Sequence, residues 1–165
     1  ADSGEPKNTF EILKRCRDSR KNLFKKLIII NSSISLETCD QNINLSNLTK
    51  DELKLYFGTI KNRDLLKIAL VELQKDIINK SLIGALLYKH HAVLRDDLKV
   101  STPKIDSMIE AAMNAGALGA KINGSGGGGC MLAYAPENTN EVVEAIEKVG
   151  GEAFIVSSDK GTITN

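Results

Sequence analysis

Between Asn123 and Cys130 lies the tract GSGGGG, and five glycines in six residues constrain the fold more than any other stretch of the chain. Each ordered glycine costs roughly 0.5–1 kcal/mol of extra chain entropy relative to alanine, so a plain turn would use one or two. A flexible linker joins polar domain edges. Here Leu118, Ala120 and Ile122 alternate with Gly119, Lys121 and Asn123 on one side, and CMLAYA (130–135) is an apolar run closed by Pro136 on the other. Both flanks read as strands, and the tract reads as the enlarged loop of a hairpin. Successive glycines allow positive φ angles and an unobstructed row of N–H groups, which suits an anion and above all phosphate.

Gly124, Gly126 and Gly129 satisfy G-x-G-x-x-G, but a strand follows where the dinucleotide fingerprint needs a helix. The tract ends Gly129-Cys130, without the Lys-Ser/Thr of a P-loop. It is therefore a phosphate candidate of neither common type.

The helices follow from apolar periodicity and end signals. One runs from Thr9 to about Asn31. Residues 32–47 are polar and turn-rich. Thr49 and Glu52 form a capping box that opens a short helix. Two more helices, Arg63 to Asn79 and Leu82 to Leu98, place Leu66, Ala69, Leu70, Leu73 and Ile77, then Ile83, Leu86, Leu87, His90 and Leu94, on inward faces. In VSTPKIDSMIEAAMNAG, Thr102 is the N-cap, Pro103 the first helical residue and Gly116 the stop. Strands 118–123 and 130–135, a helix from Thr139 to Val149 and a strand Ala153 to Ser157 complete the chain. The expected class is α+β: the α-β-β-α-β order of 101–165 is most of a ferredoxin-like split βαβ unit with an antiparallel sheet, and 10–100 form an additional helical layer.

At 165 residues, 42% hydrophobic, the chain suffices for the core of one domain. Lysine and arginine number 22 against 21 acidic residues, so no global field favours nucleic acid or a membrane surface. Cys16, Cys39 and Cys130 are odd in number and lack C-x-x-C spacing, which fits a reducing compartment, the cytoplasm. Adjacent His90 and His91 point about 100° apart on a helix and cannot share a metal, so one is expected in the core and one in solvent. Asp96 and Asp97, beside Arg95 and Lys99, read as ion-paired rather than as magnesium ligands. Cys130 reads as buried and inert, and Lys121 as solvated.

Four segments carry a resemblance. GALGAKINGSGGGGC (116–130) resembles the third signature motif of the GHMP small-molecule kinases. HAVLRDDLKVSTPKID (91–106) and NRDLLKIALVEL (62–73) are similar to the galactokinase-like branch of that family, and DSGEPKNT (2–9) resembles the crossover from its amino-terminal to its carboxy-terminal half. The resemblance implies a single GHMP kinase C-terminal domain over 1–165, with residues 1–9 arriving from an amino-terminal half. That half would hold the glycine-serine nucleotide motif, the catalytic aspartate and the magnesium ligands, since no such motif occurs here.

By the same resemblance, the intact protein transfers the γ-phosphoryl group of ATP, with magnesium, to a small-molecule hydroxyl. Gly124, Ser125, Gly126, Gly127, Gly128 and Gly129 would border the nucleotide phosphates, and Ser3, Lys7 and Thr9 would face the acceptor. The sugar-contacting tyrosine of the true galactokinases is missing from residues 3–22. The expected acceptor is thus a sugar, with a heptose phosphate or another hexose standing level with galactose. The partners are that substrate and the amino-terminal kinase domain, and this chain alone is expected to be folded and inactive. A galactokinase-like ligand sensor or co-regulator without transfer is the alternative.

Overall fold

The protein is described by a computed structural model covering residues 1–7, 9–32, 34, 35, 37, 39 and 43–157. The element order is α1 (Thr9–Ile30), α2 (Lys50–Leu73), α3 (Lys80–Ala92), a π-helical turn (Val93–Asp97), α4 (Pro103–Asn114), β1 (Gly119–Ile122), β2 (Met131–Tyr134) and α5 (Thr139–Lys148).

The helix ends form where their local chemistry directs. At Thr49 both halves of the capping box are made: its hydroxyl accepts the Glu52 N–H, and the Glu52 carboxylate accepts the Thr49 N–H. Thr102 caps α4 by accepting the Ile105 N–H, and Pro103 opens the helix where a missing N–H costs nothing. Gly116, at φ +96°, reverses the chain beyond it.

Two helical expectations are corrected. The short helix after Thr49 and the one expected over Arg63 to Asn79 are a single α2. Gly58 lies within it, where any larger residue would strike Asp97: an added Cβ would lie 2.7 Å from that of Asp97. Asn79 is not the end of α2 but the N-cap of α3, accepting the Leu82 N–H. The inward face expected on the second half of α2 is largely open: Leu66, Leu70 and Leu73 are exposed, and Ile77 beyond the helix is 88% exposed. Within the described residues no element covers that stripe.

The sheet is also smaller than expected. β1 and β2 pair antiparallel, with Lys121 opposite Leu132 and Ile122 opposite Met131. Ala153 to Ser157 is not a strand; only Glu152 takes part, through a single bridge to Asp2. Asp2 also bridges Cys130, so residues 1–3 lie between β2 and Glu152, and the lateral order is β1, β2, the first residues, Glu152. The Asp2 N–H and carbonyl exchange two 2.8 Å hydrogen bonds with Glu152, and the Ser3 N–H donates to Gly129 at 2.9 Å. The segment after Glu152 leaves the ladder, and Phe154, Ile155 and Val156 are exposed. Residues 158–165 of the expected last unit lie outside the described residues.

Three apolar clusters hold these parts. Ala120, Ile122 and Met131 pack with α4 (Ile105, Met108, Ile109, Ala112) and α5 (Val142, Ile146) on one face of the sheet. Leu23 and Leu27 of α1 meet Tyr56 and Ile60 of α2. Val93, Leu98 and Val100 join the two, touching Ile12 and Cys16 of α1.

α3 closes the outer side of β1 at backbone distance. A Cβ on Gly119 would lie 1.9 Å from the Gly84 carbonyl oxygen, so glycine on both elements is a condition of the contact. His91, 1% exposed, fastens the same junction: its Nδ1 accepts the Ile122 N–H at 3.4 Å, and Nε2 lies 3.2 Å from Asp106 Oδ1, which also accepts the Ser101 hydroxyl. His91 is thus the core histidine, while His90 is half-buried.

Burial pushes the His91 imidazole below its ordinary range, against the opposing pull of Asp106. A depressed base favours the neutral form in the fold, so the unfolded chain takes up the proton first. Stability from this site is full above about pH 6.5 and falls as the pH drops below it. Denaturant titrations from pH 7.5 to 5 are expected to show that decline, and His91→Gln is expected to flatten it. An unchanged slope in the variant would remove His91 from the account.

Candidate functional site

The glycine loop is built from backbone angles. Gly124, Gly126, Gly127, Gly128 and Gly129 have φ of +77°, +82°, +72°, +107° and +69°, so all five occupy the half of conformational space that side chains resist. Ser125 alone takes an ordinary φ, and it is the one residue of the tract with a side chain.

The loop is packed as well as turned. A Cβ on Gly126 would stand 2.4 Å from the Val100 carbonyl oxygen, one on Gly127 would stand 2.0 Å from Ile12 Cδ1, and one on Gly129 would stand 1.7 Å from Lys7 Cε. Residues 5–7, Ile12 and Val100 therefore form its walls. Two loop N–H groups are used within the fold: Gly127 donates to Val100 at 2.7 Å and Gly129 to Glu5 at 3.2 Å. The convergence expected of the whole row is thereby reduced. Among the described residues no intramolecular acceptor meets the N–H groups of Gly124, Ser125, Gly126 or Gly128, and Gly126 and Gly128 are buried. Buried, unpaired N–H groups are rare in folded proteins because desolvation without a partner costs about as much as a lost hydrogen bond.

The structure joins the two groups of residues singled out from the sequence. Lys7 lies across the loop, its Nζ 3.5 Å from where a Gly124 Cβ would stand. The Ser125 hydroxyl is 3.4 Å from that of Thr9. Ser3 is placed differently: it is 7% exposed, and its hydroxyl accepts the Glu5 N–H at 3.2 Å, so it shapes the bend at Gly4 rather than presenting a polar group. The Glu5 carboxylate accepts the Thr102 hydroxyl, tying the same bend to the start of α4.

Other expectations divide. Asp96 is paired with Arg95, whose guanidinium holds the carboxyl below the usual range, as the reading of an ion pair anticipated. Cys130 is exposed, not buried, because the loop delivers it to the edge of the site. Lys121 is half-buried rather than solvated, donating to the Ile122 carbonyl at 2.8 Å, and burial lowers its pKa. No helix among the described residues is long and apolar enough to cross a membrane.

Basic residues on α1 were missed. A cleft of about 320 Å3 between α1, the start of α2 and residues 97–99 carries Arg15, Arg20, Lys54 and Lys99 together with Asp51, Glu52 and Asp97. Arg15 donates to the Lys99 carbonyl at 2.9 Å, and Arg20 Nε is buried without a partner among the described residues. Lys99 is the one described residue other than glycine with a left-handed φ, +52°. The sequence signal was the run of basic residues along α1, which reads as a solvated face until the second wall is known.

The loop and Lys7 offer N–H donors and a cation, which fit phosphate oxygens and repel a metal ion. Relatives of the chain agree with that chemistry. The sequence family described as GHMP kinases C terminal matches residues 69–154, just over half of the chain. A mevalonate kinase of Thermococcus onnurineus is 46% identical over 101 residues, covering 56% of this chain and 30% of that protein. A galactokinase of Clostridium perfringens is 35% identical over 143 residues, covering 83% of this chain and 35% of that one.

This chain thus spans about a third of the length of these relatives. Among solved structures, Lactococcus lactis galactokinase complexed with galactose superposes with a TM-score of 0.68 at 26% identity, over 90% of this chain and 39% of that one. L. major mevalonate kinase in complex with R-mevalonate gives 0.61 at 20% identity, over 89% and 36%. The lean toward galactokinases taken from residues 62–73 and 91–106 is not upheld, since identity is higher to mevalonate kinases over a shorter stretch. What the loop, the fold and the relatives share is enough to place the chain: it belongs to the GHMP kinases, in their C-terminal family.

Proposed function

We propose that the chain is the carboxy-terminal part of an ATP-dependent small-molecule kinase, in which the loop Gly124–Gly129 and Lys7 border the phosphates of the nucleotide. The observation that carries this reading is the set of loop N–H groups without an acceptor among the described residues, with the Lys7 side chain against Gly124 and Gly129 of the same loop. Phosphoryl transfer is governed by positioning and by charge stabilisation. Fixed backbone dipoles serve it without reorganising. The Ser125 and Thr9 hydroxyls sit at the rim and are assigned to the nucleotide side and the acceptor side respectively. Magnesium, when bound, would supply charge neutralisation for the nucleotide phosphates, and its carboxylate ligands would come from outside the loop. We keep the split βαβ reading of the sheet as part of this proposal, since single bridges supply two of its four lateral positions.

Mevalonate is proposed as acceptor ahead of a sugar, on the 46% identity to a mevalonate kinase and the missing tyrosine in residues 3–22. The test is acceptor-dependent ADP release by the full-length gene product with mevalonate, galactose, other hexoses and heptose phosphates. Turnover with mevalonate and not with sugars is expected. Turnover with a sugar alone would overturn the acceptor assignment, and ATP binding without any acceptor-dependent turnover would replace the kinase by a sensor.

A further inference from the structure

Away from the glycine loop, α2, α3 and the sheet enclose a second, open groove of about 500 Å3, within the range of small-molecule sites. Its walls are apolar, with Leu66 and Leu73 from α2, Leu87 from α3 and Leu132 from β2. Lys121, directly across the sheet from Leu132, stands on its floor beside His90.

None of the lining residues is Asp or Glu, and among the described residues Lys121 meets no carboxylate, its ammonium reaching only the Ile122 carbonyl. Arg63, at the same groove, is already engaged by Asp64 and by the carbonyls of Glu37 and Cys39. A half-buried lysine without a counter-charge carries a desolvation cost that an anion would relieve. Long apolar walls with a single unpaired cation set the chemistry of the complement: one negative charge on an aliphatic body.

We propose that this groove binds an aliphatic carboxylate, its chain along Leu66, Leu73, Leu87 and Leu132 and its head on Lys121. A carboxylate matches the site better than a phosphate, because Lys121 is the one lysine or arginine of the lining without a carboxylate partner among the described residues.

The test is calorimetric titration of the full-length protein with dodecanoate below its micellar range, beside dodecanol and dodecyltrimethylammonium. Saturable dodecanoate binding is expected, about tenfold weaker for dodecanol and absent for the cation, in proportion to one charged hydrogen bond. Lys121→Met is expected to bring dodecanoate down to the level of dodecanol, and Lys121→Arg to retain most of the affinity. Equal binding of dodecanoate and dodecanol, or no loss in Lys121→Met, would overturn the proposal. So would the absence of saturable binding, including the case in which sedimentation shows a second copy or another part of the protein closing the groove. Kinase activity does not enter these readings, so they stand or fall apart from the phosphate loop.

Discussion

Replacing Gly119 by alanine is expected to lower the stability of the folded chain by about 3 kcal/mol, at the top of the range for overpacking. The methyl group would stand 1.9 Å from the Gly84 carbonyl oxygen and 2.5 Å from its carbon. Both obstacles are backbone, so no rotamer change relieves them, and α3 must withdraw from β1. Withdrawal would also part His91 from the Ile122 N–H. Gly84→Ala should act alike, its Cβ falling 2.3 Å from the Leu118 carbonyl oxygen. Gly4→Ala is the control for backbone strain without contact: at φ +70° with nothing within 4 Å of the added Cβ, it should cost only about 1–2 kcal/mol. Urea midpoints of the three variants decide the matter. A loss for Gly119→Ala no larger than for Gly4→Ala would mean that α3 can slide on the sheet and that the paired glycines do not fix it.

The second large effect concerns activity. In the full-length protein, Gly128→Ala is expected to reduce kcat/KM for ATP by about 10²-fold or more, the scale seen when one preorganised donor is lost. Gly128 has φ +107°, a buried position and an N–H without an acceptor among the described residues. Its added methyl meets the Glu5 Cβ at 3.0 Å and the Glu5 carbonyl oxygen at 3.1 Å, tight contacts that leave the fold intact while turning the peptide. The cost should exceed the about 1–2 kcal/mol of left-handed strain alone and stay below that of Gly119→Ala, whose clash is far closer, so the variant is expected to fold with a lowered melting temperature. Full activity in this variant would remove the loop from the phosphate site. Equal loss of folding and activity would make the loop a packing element.

The boundaries of the fold were legible wherever a few neighbouring residues decide the outcome. Thr49 with Glu52, Thr102 with Pro103, and Gly116 each act within one helical turn, and all three hold. The signs of φ in the loop were written into the tract itself, glycine at every left-handed position and serine at the ordinary one. What was illegible depends on distant partners. Ala153 to Ser157 has the composition of a strand, but the inner lane of the sheet belongs to residues 1–3, remote in sequence. The stripe from Leu66 to Leu73 has helical periodicity, yet periodicity reports that a face is apolar and not that the chain covers it. Within the candidate site, Lys7 and Thr9 could be named from the sequence, but their meeting with Gly124 and Ser125 required the fold. The bond from the Glu5 N–H to the Ser3 hydroxyl was not legible, because a short polar side chain next to a left-handed glycine serves its own backbone as readily as a ligand.

The position of residues 1–3 between Cys130 and Glu152 also sets a timetable for synthesis. The inner lane of the sheet leaves the ribosome before either of its neighbours, which lie far downstream at Cys130 and Glu152. The helices can collapse on one another as they emerge. The first lane gains one neighbour only when Cys130 and Met131 are free of the exit tunnel, and the other when Glu152 is. Contacts of such sequence separation form slowly even in a released chain. Residues 3–7, which wall the glycine loop, therefore cannot take their places until the loop itself has been made.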